Sequence, residues 1–217
     1  MPAEARRGAR AARTRAEILA AAEALFAERG FGETRLEDVA ERVGVRRAAL
    51  FYHFHDKRAL YDAVLEDLLG SLLARVEAAL ARPGRPLADA LESAISIWVE
   101  YVWERPATAH ILLREVSNRG ERSETLRRFV GPGVQLLRRV FDEGRRTGAF
   151  RPVAADPFHF VSTVVGSTIF FVAGMPSLFP ELPFDPLSRE QMEAHRADTL
   201  RVTRRLLGLG GPRPATG

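Results

Sequence analysis

The sequence predicts an all-α protein, and three observations support this fold class. Apolar residues recur every three or four positions in almost every segment, no stretch reads convincingly as a strand, and the segments start and stop at helix signals. With 217 residues, 46% of them apolar, the chain can bury a sizeable core. It has no cysteine, which excludes disulfides, thiolate metal sites and a cysteine nucleophile.

The first third of the chain is predicted to form four helices, over 13–29, 36–43, 46–53 and 57–81. Gly30 and Gly44 are expected to end the first two of them, and Asp56 to cap the fourth. Residues 1–12 are expected to be a flexible basic arm whose arginines could reach a polyanion, although basic tails are often merely solvated.

Five further helices are predicted after the break at 82–86, over 87–104, 106–118, 122–146, 157–173 and 188–207. Gly131-Pro132-Gly133 should kink or split the third of these helices. Asp156 and Ser188 are the expected caps of the last two helices, four prolines make 175–187 a loop, and 211–217 should be a disordered tail.

The helix at 157–173 belongs to an uncharged stretch that comes close to a membrane-span signal. It contains polar residues such as Ser162 and Thr163, and its end is broken by Pro176 and Pro180. We therefore expect a helix buried against other protein, in a chain that has no membrane partner. The N-terminus has no apolar region of the signal-peptide kind, so we expect a cytoplasmic protein.

Charge is distributed unevenly along the first 58 residues. Residues 1–15 carry five arginines and one glutamate, residues 16–44 carry three arginines against seven acids, and residues 45–58 carry four cations against Asp56. Two basic segments thus flank an acidic pair of helices. This pattern suits a polyanion partner, although a solvated surface explains the charge alone equally well.

Residues 34–54 have the pattern of a helix-turn-helix. Thr34 and Glu37 are expected to form a capping box, and Gly44 to supply the left-handed turn beyond Ala40, whose small side chain allows two helices to cross closely. Val45 and Leu50 would anchor the second helix and leave its other side exposed. Such a second helix enters the major groove of DNA.

Residues 13–65 resemble the N-terminal domain of TetR-family transcriptional regulators, whose usual string runs close to V-S-x-G-x-L-Y-x-H-F-x-S-K-x-x-L. The matching residues are Val45, Leu50, His53, Phe54, Lys57 and Leu60. The sequence departs from the string at Arg46, Ala48, Phe51 and Asp56. The tyrosine of the family string at the position of Phe51 often donates its hydroxyl to a DNA phosphate, and Phe51 has no hydroxyl. Tyr52 is therefore a candidate to make this contact instead, although a nonpolar role for Tyr52 fits nearly as well.

The resemblance and the motif together imply an N-terminal three-helix helix-turn-helix DNA-binding domain over 13–60, followed by a helical ligand-binding and dimerisation domain over 61–210. The expected DNA contacts are Thr34, Arg35, Arg46, Arg47, Ala49, Tyr52, His53 and Lys57. Arg46 and Arg47 could reach phosphates or guanine edges. Lys57, Thr34 and Arg35 are expected to hold backbone phosphates.

The second domain is rich in aromatic residues, and the family resemblance implies that some of them enclose a small apolar effector. Our candidates for lining the pocket are Trp98, Tyr101, His110, Arg114, Phe129 and Phe170. For any one of these residues, ordinary core packing is the alternative. The last two helices are expected to form a homodimer interface through Val161, Val165, Gly166, Ile169, Met192, Thr199, Val202 and Leu206.

The predicted function is a transcriptional repressor that a small apolar effector releases from a palindromic double-stranded DNA operator. No catalytic, metal-binding or cofactor motif occurs in the C-terminal two thirds, so we expect neither an enzyme nor a cofactor. The alternatives are a helical carrier or scaffold for an apolar ligand that does not bind DNA and, less favoured, an enzyme acting in the aromatic pocket. Neither alternative requires Arg46, Arg47 and Lys57 beside the helix-turn-helix.

Overall fold

The computed structural model describes residues 3–117, 123–153 and 157–209, and these residues form helices and turns without a strand. The helices are α1 (Ala3–Glu33), α2 (Leu36–Val43), α3 (Arg47–His53), α4 (Lys57–Leu80), α5 (Leu87–Glu104), α6 (Ala107–Ser117), α7 (Ser123–Thr147), α8 (Pro157–Ile169), α9 (Met175–Leu178) and α10 (Arg189–Leu206). A π-helical turn, Phe170–Gly174, joins α8 to α9. The all-α prediction is confirmed, and most helix bounds fall within two residues of those predicted.

The N-terminal head is built from α1, α2, α3 and the first half of α4. Its core consists of closely packed apolar side chains, among them Ile18, Phe26, Leu50 and Leu65, all of which are at most 1% exposed. The same cluster includes Tyr101 and Ile111 from α5 and α6. The head therefore shares its core with the C-terminal domain.

The helix ends in the head and the start of α10 follow local sequence signals, except at the start of α2, which is described below. Gly30 interrupts α1 with φ 80° and ψ 173°, and Gly44 ends α2 in the left-handed region at φ 73°. The Asp56 carboxylate accepts a hydrogen bond from the backbone N–H of Ala59 at 2.7 Å, and the Ser188 hydroxyl caps α10. The predicted cap at Asp156 lies outside the described residues.

The predicted flexible arm is wrong for residues 3–12, because these residues are helical. α1 begins at Ala3, ten residues before its predicted start, and continues to the interruption at Gly30. Alanine and arginine, the commonest residues of this segment, are both good helix formers. The charge pattern that suggested a flexible tail is therefore carried on an ordered helix.

Two helices of the C-terminal domain contain unusual backbone features. α7 runs through Pro132 as one helix, so the expected split does not occur. At the π-turn, Gly174 leaves room for the ring of Phe170, since a Cβ at position 174 would lie 2.6 Å from that ring. By length and composition alone, Pro157–Leu178 could span a membrane, a property shared by core helices of soluble proteins.

Candidate nucleic-acid interface and ligand cavity

The exposed side of α3 displays a cationic and aromatic surface. Leu50 is completely buried and holds the helix against the head, whereas Tyr52 is 80% exposed. Arg46, at the N-cap, has an extended backbone and an exposed side chain. The seven-residue helix thus has one anchored side and one side available to a ligand, as a recognition helix requires.

Arg47 is held in place by two neighbours in the absence of DNA. Its Nη1 lies 3.0 Å from the Glu37 carboxylate on α2, and its guanidinium lies 5.2 Å from the centre of the Phe51 ring. Both members of the ion pair are more than half exposed, so the pair itself adds little stability. Its effect is to restrict the orientation of a charged side chain on the exposed side of the helix-turn-helix.

The other predicted DNA contacts lie at different depths. Arg35 is exposed at the N-cap of α2, whereas Ala49 and His53 are half-buried on α3. The His53 ring packs edge-on against Tyr52, with 5.1 Å between the ring centres. Arg35, Arg46, Arg47 and Tyr52 are therefore the most accessible members of the predicted set.

The prediction that the Thr34 hydroxyl faces DNA is wrong. Thr34 is completely buried, and its Oγ1 donates to the carbonyls of Gly30, at 2.8 Å, and Leu25. The N-cap of α2 is Arg35, whose backbone N–H donates to the Asp38 carboxylate at 3.2 Å. The capping interaction lies one residue later than predicted, because the Thr34 hydroxyl closes the end of α1 instead.

Lys57, the chain's single lysine, joins the start of α4 to the connection between α1 and α2. Its Nζ donates to the carbonyls of Thr34 at 2.8 Å and Gly32 at 3.1 Å, and lies 4.5 Å from the centre of the Phe31 ring. Such a compact ammonium can serve two carbonyls and an aromatic face together. Lys57 therefore has a structural role in the head, which the sequence pattern did not indicate.

The C-terminal domain contains an apolar cavity of about 240 Å³, partly open to solvent, between α4, α5, α6, α7 and α8. Every described residue that lines it is apolar or glycine, and leucine and valine predominate. Trp98 adds one indole, whose Nε1 is buried without a hydrogen-bond partner among the described residues. The lining therefore offers a ligand almost no hydrogen-bonding groups.

Of the residues predicted to line this pocket, Trp98 is the one that does so. Tyr101 belongs to the head core and donates its hydroxyl to the carbonyl of Leu68 at 2.8 Å. His110 and Arg114 lie elsewhere on α6, and Phe170 is 47% exposed on the π-turn. The side chain of Phe129 lies outside the described residues.

Most of the residues around the cavity were missed because they are aliphatic. Leu69, Leu72 and Val76 come from the second half of α4, and Leu137 comes from α7. A leucine beside a cavity has the same sequence signature as a leucine in a filled core. The prediction weighted aromatic and charged side chains, whereas the cavity is lined mainly by branched aliphatic residues.

An ionic cluster around Arg105 connects the head to the C-terminal domain. Arg105, between α5 and α6, pairs with Glu23 on α1 and lies 2.8 Å from Asp67 on α4. It also donates to the Tyr101 hydroxyl at 3.0 Å. Burial alone would lower the pKa of Arg105, but the hydrogen bonds to Glu23 and Asp67 outweigh it and raise that pKa.

α6 makes two further polar contacts with the head. The Tyr61 hydroxyl of α4 donates to the buried Glu115 carboxylate at 2.7 Å. Arg114 donates to the carbonyl of Glu28 at 3.0 Å, beside the interruption of α1 at Gly30. Arg114 therefore contacts the head, which accounts for its absence from the cavity.

Several of the predicted dimer residues are buried within the chain. Met192 and Thr199 are 1% and 5% exposed, and Val161 and Val165 line the cavity. Ile169 and Leu206 are half-buried against apolar clusters of the same chain. Gly166 is half-buried with open space beside it, and Val202 is 39% exposed. Met192 and Thr199 are therefore core residues of the chain, and the rest of the predicted interface stays a prediction.

Comparison with known proteins agrees with this architecture. Residues 18–64 match the family described as bacterial regulatory proteins, tetR family, and residues 88–202 match the tetracyclin repressor-like C-terminal domain. The HTH-type transcriptional repressor NicS of Pseudomonas putida is 31% identical over 67% of this chain and 69% of its own length. The HTH-type transcriptional regulator TtgR of P. putida is 47% identical over 55 residues, which are 25% of this chain and 26% of TtgR.

A solved structure of a tetR-family regulatory protein from Rhodococcus RHA1 has the same fold. It covers 91% of this chain and 98% of its own chain, with a TM-score of 0.71 and 21% identity. A helix-turn-helix head joined to a helical C-terminal domain, matched by these relatives, defines the class of DNA-binding transcriptional regulators. The chain belongs to the TetR family of these regulators.

Proposed function

We propose that this regulator is a cytoplasmic repressor that binds a palindromic operator as a homodimer and releases it when an uncharged, apolar molecule occupies the cavity. Arg46, Arg47 and Tyr52 would contact the major groove, and Arg35 the DNA backbone. NicS, a repressor by its name, supports the sign of regulation. The relatives of this chain are transcriptional regulators, so the proposed role does not include catalysis.

The observation that carries this proposal is the path of α4. The helix begins at Lys57, four residues after the end of α3, and its second half supplies cavity residues from Leu69 to Leu80. A ligand that displaces this half therefore acts on the helix that supports the DNA-binding surface. If the displaced state binds DNA less well, the ligand draws the population away from operator. A coupling of about 1–3 kcal/mol corresponds to roughly 5–150-fold in affinity.

The chemistry of the cavity defines the ligand class. A charged group would lose its hydration without finding an opposite charge among the described lining residues, which disfavours ions strongly. For size, a cavity of about 150 Å³ holds benzene, so about 240 Å³ suits a molecule of about ten non-hydrogen atoms. A bicyclic hydrocarbon meets both conditions.

The dimer would form through the exposed sides of α8 and α10. On α8 these sides carry small residues around Gly166, namely Ser162, Thr163 and Ser167, and on α10 they carry Ala194, Ala197 and Val202. Small residues let helices from two subunits approach closely. A two-fold dimer can place two copies of α3 about 34–36 Å apart, to match successive major grooves.

Fluorescence anisotropy with duplexes from the region upstream of the protein's own gene tests the function. We expect tight binding to one palindromic duplex and weak binding to a shuffled duplex of equal length. Adding naphthalene should lower the operator affinity, whereas naphthalene-2-sulfonate, which has the same rings and one negative charge, should leave it unchanged.

Two outcomes would contradict the proposal in different ways. Equal affinity for the palindromic and shuffled duplexes would contradict operator recognition and favour a carrier of apolar ligands. Release of the operator by the sulfonate as readily as by naphthalene would contradict the cavity as the effector site.

Light scattering on Gly166→Arg tests the dimer interface, since a dimer that persists in this variant speaks against α8.

A further inference from the structure

The N-terminal part of α1 extends well beyond the head. From residue 5 onward, Ile18 is the first completely buried residue of α1, and it is also where the family match begins. The fifteen residues from Ala3 to Glu17 precede this point and form a helix about 22 Å long, at about 1.5 Å per residue. This extension is therefore a feature of the chain that the matched family domain does not include.

The extension presents exposed arginines that have no acidic partner among the side chains that the structure describes. Arg6, Arg7 and Arg10 are exposed, and no ion pair joins them to any of these side chains. Arg13, one turn further on, pairs with Glu17 at 2.9 Å but is 82% exposed. A cluster of cations in the first turns opposes the helix dipole, whose positive end is the N-terminus. A polyanion close to these arginines would offset that repulsion.

The position of the extension relative to α3 follows from Arg15. Its guanidinium lies 5.2 Å from the centre of the Phe54 ring, at the C-cap of α3. Phe54 is two residues from Tyr52, which is 80% exposed. The arginines N-terminal to Arg15 thus continue along α1 from the end of the helix that would lie in the major groove.

We infer that residues 3–14 form a rigid side arm that contacts backbone phosphates of DNA next to the major-groove site. This inference rests on the proposed binding of operator DNA. The arm reads charge rather than bases, so it contributes to affinity for every sequence and leaves sequence preference to α3. Because it is a helix, its arginines lie at fixed distances from the end of α3.

The salt dependence of operator affinity tests the charges of the arm. We compare wild type with the triple variant R6A/R7A/R10A between 50 and 300 mM KCl, using fluorescence anisotropy. Each lost phosphate contact should reduce the slope of log K against log [KCl] by about 0.9, hence by up to about 2.7 for each subunit. The affinity ratio between operator and shuffled duplex should stay unchanged. The control R82A/R85A/R139A removes the same charge outside the head and should keep the wild-type slope.

A pair of variants at Gly8 tests the rigidity of the arm without altering its charge. An added Cβ at Gly8 meets no atom within 4 Å, so Gly8→Ala should strengthen the helix and preserve or increase affinity. Gly8→Pro interrupts the helix in its interior and should lower affinity and slope. If the two variants bind equally, the arm acts as a flexible tail, and the inference of a rigid helix is wrong.

Failure of the arm is distinguishable from failure of the regulator. If wild type prefers the operator but R6A/R7A/R10A keeps the wild-type slope, the arm does not contact phosphates, and operator recognition stands. If wild type itself does not distinguish operator from shuffled duplex, the proposed function fails. Circular dichroism of every variant confirms that the helical fold persists.

Discussion

The head and the C-terminal domain are both helical, but they differ in where they can accept a ligand. The head core is closed around Phe26 and Leu50, and its polar groups that can meet a partner lie on the surface of α1, α2 and α3. The C-terminal domain contains a cavity, partly open to solvent, that is lined by aliphatic residues such as Leu72 and Val134. The head is thus suited to a charged macromolecule outside it, and the second domain to a small apolar molecule inside it.

This difference explains why the two regions respond differently to packing changes. A filled core transmits any displacement, because its side chains have no space in which to relax. A cavity tolerates rearrangement and can be occupied at little cost. The apolar cluster that includes Tyr101 and Ile111 connects the head to the C-terminal domain, and so do the charged side chains around Arg105. The predictions below test this contrast, from the largest expected effect to the smallest.

Leu50→Ala should have the largest effect, because it opens a void in the closed core of the head. Leu50 is completely buried, and such truncations cost about 2–5 kcal/mol of unfolding free energy. Urea denaturation measures this loss. Phe51→Ala, at the neighbouring and partly exposed position, is the control and should cost clearly less. Equal losses at both positions would contradict a tightly anchored α3.

Arg47→Ala should weaken operator binding by about 1–3 kcal/mol and relax sequence preference if the guanidinium reads a base. The measurement is anisotropy with operator and single-base variants of it. Arg42→Ala removes the same charge from α2, where Arg42 pairs with Glu28 at 3.1 Å. This control should preserve sequence preference. A loss that is equal on all duplexes would show that Arg47 contacts only the backbone.

The same enlargement should have opposite effects in the two regions. Ala22 is completely buried in the head, so Ala22→Leu should overpack the core and cost about 1–3 kcal/mol. Ala94 lines the cavity, so Ala94→Leu should fill empty space and stabilise by up to about 2 kcal/mol, at about 0.8 kcal/mol per buried methylene.

Thermal denaturation measures both changes, and calorimetric titration measures naphthalene binding. Ala94→Leu should abolish that binding and leave operator affinity intact, since the head is untouched. Destabilisation of similar size by both substitutions would remove the proposed contrast between a filled and an open core.

Mild acid should destabilise the C-terminal domain, by the smallest of these effects. Burial lowers the pKa of His195, although Asp198 acts in the opposite direction, and burial followed by the charge of Arg114 lowers the pKa of His110. The unfolded chain then binds more protons than the folded chain below the ordinary histidine pKa of about 6.5. The contribution of the two neutral histidines to the free energy of unfolding is therefore complete above that pH. It is lost as the pH falls through their lowered pKa values.

Urea denaturation at pH 7.5 and pH 5.5 checks this dependence. His195 stacks on Phe171 with ring centres 4.3 Å apart, and its Nε2 lies 3.0 Å from the Thr168 hydroxyl. His195→Gln should lower stability at pH 7.5 but reduce its change with pH. His55→Gln, at an exposed position, should keep the wild-type change. An unchanged dependence in His195→Gln would contradict the role of this histidine.

The sequence was sufficient wherever the determining interactions are local. Gly44, Asp56 and Ser188 end or cap their helices as predicted, because each acts within about four residues of itself. The helix-turn-helix followed from the same kind of signal. Pro132 is the exception: one proline did not divide α7.

Tertiary contacts account for what the sequence did not predict. The Thr34 hydroxyl had a local role available as a cap, but in the fold it bonds to the end of α1. Helix α8 is apolar on several sides, so hydropathy could not decide whether Val165 faces the cavity or a second subunit. The lining of a cavity depends on which leucines fail to meet a neighbour, and periodicity contains no such information.

The π-turn at Phe170–Gly174 also fixes the rotational phase of the chain that follows it. Such a turn contains one residue more than the α-helical repeat would use, and one residue corresponds to about 100° around a helix axis. Deleting Ala173 would restore a continuous α-helix. It would also rotate α9 and the following loop around the helix axis, so that their side chains face a different direction. In a relative that lacks one residue at this point, we therefore expect the residues that follow the turn to face another direction even where their sequence is the same.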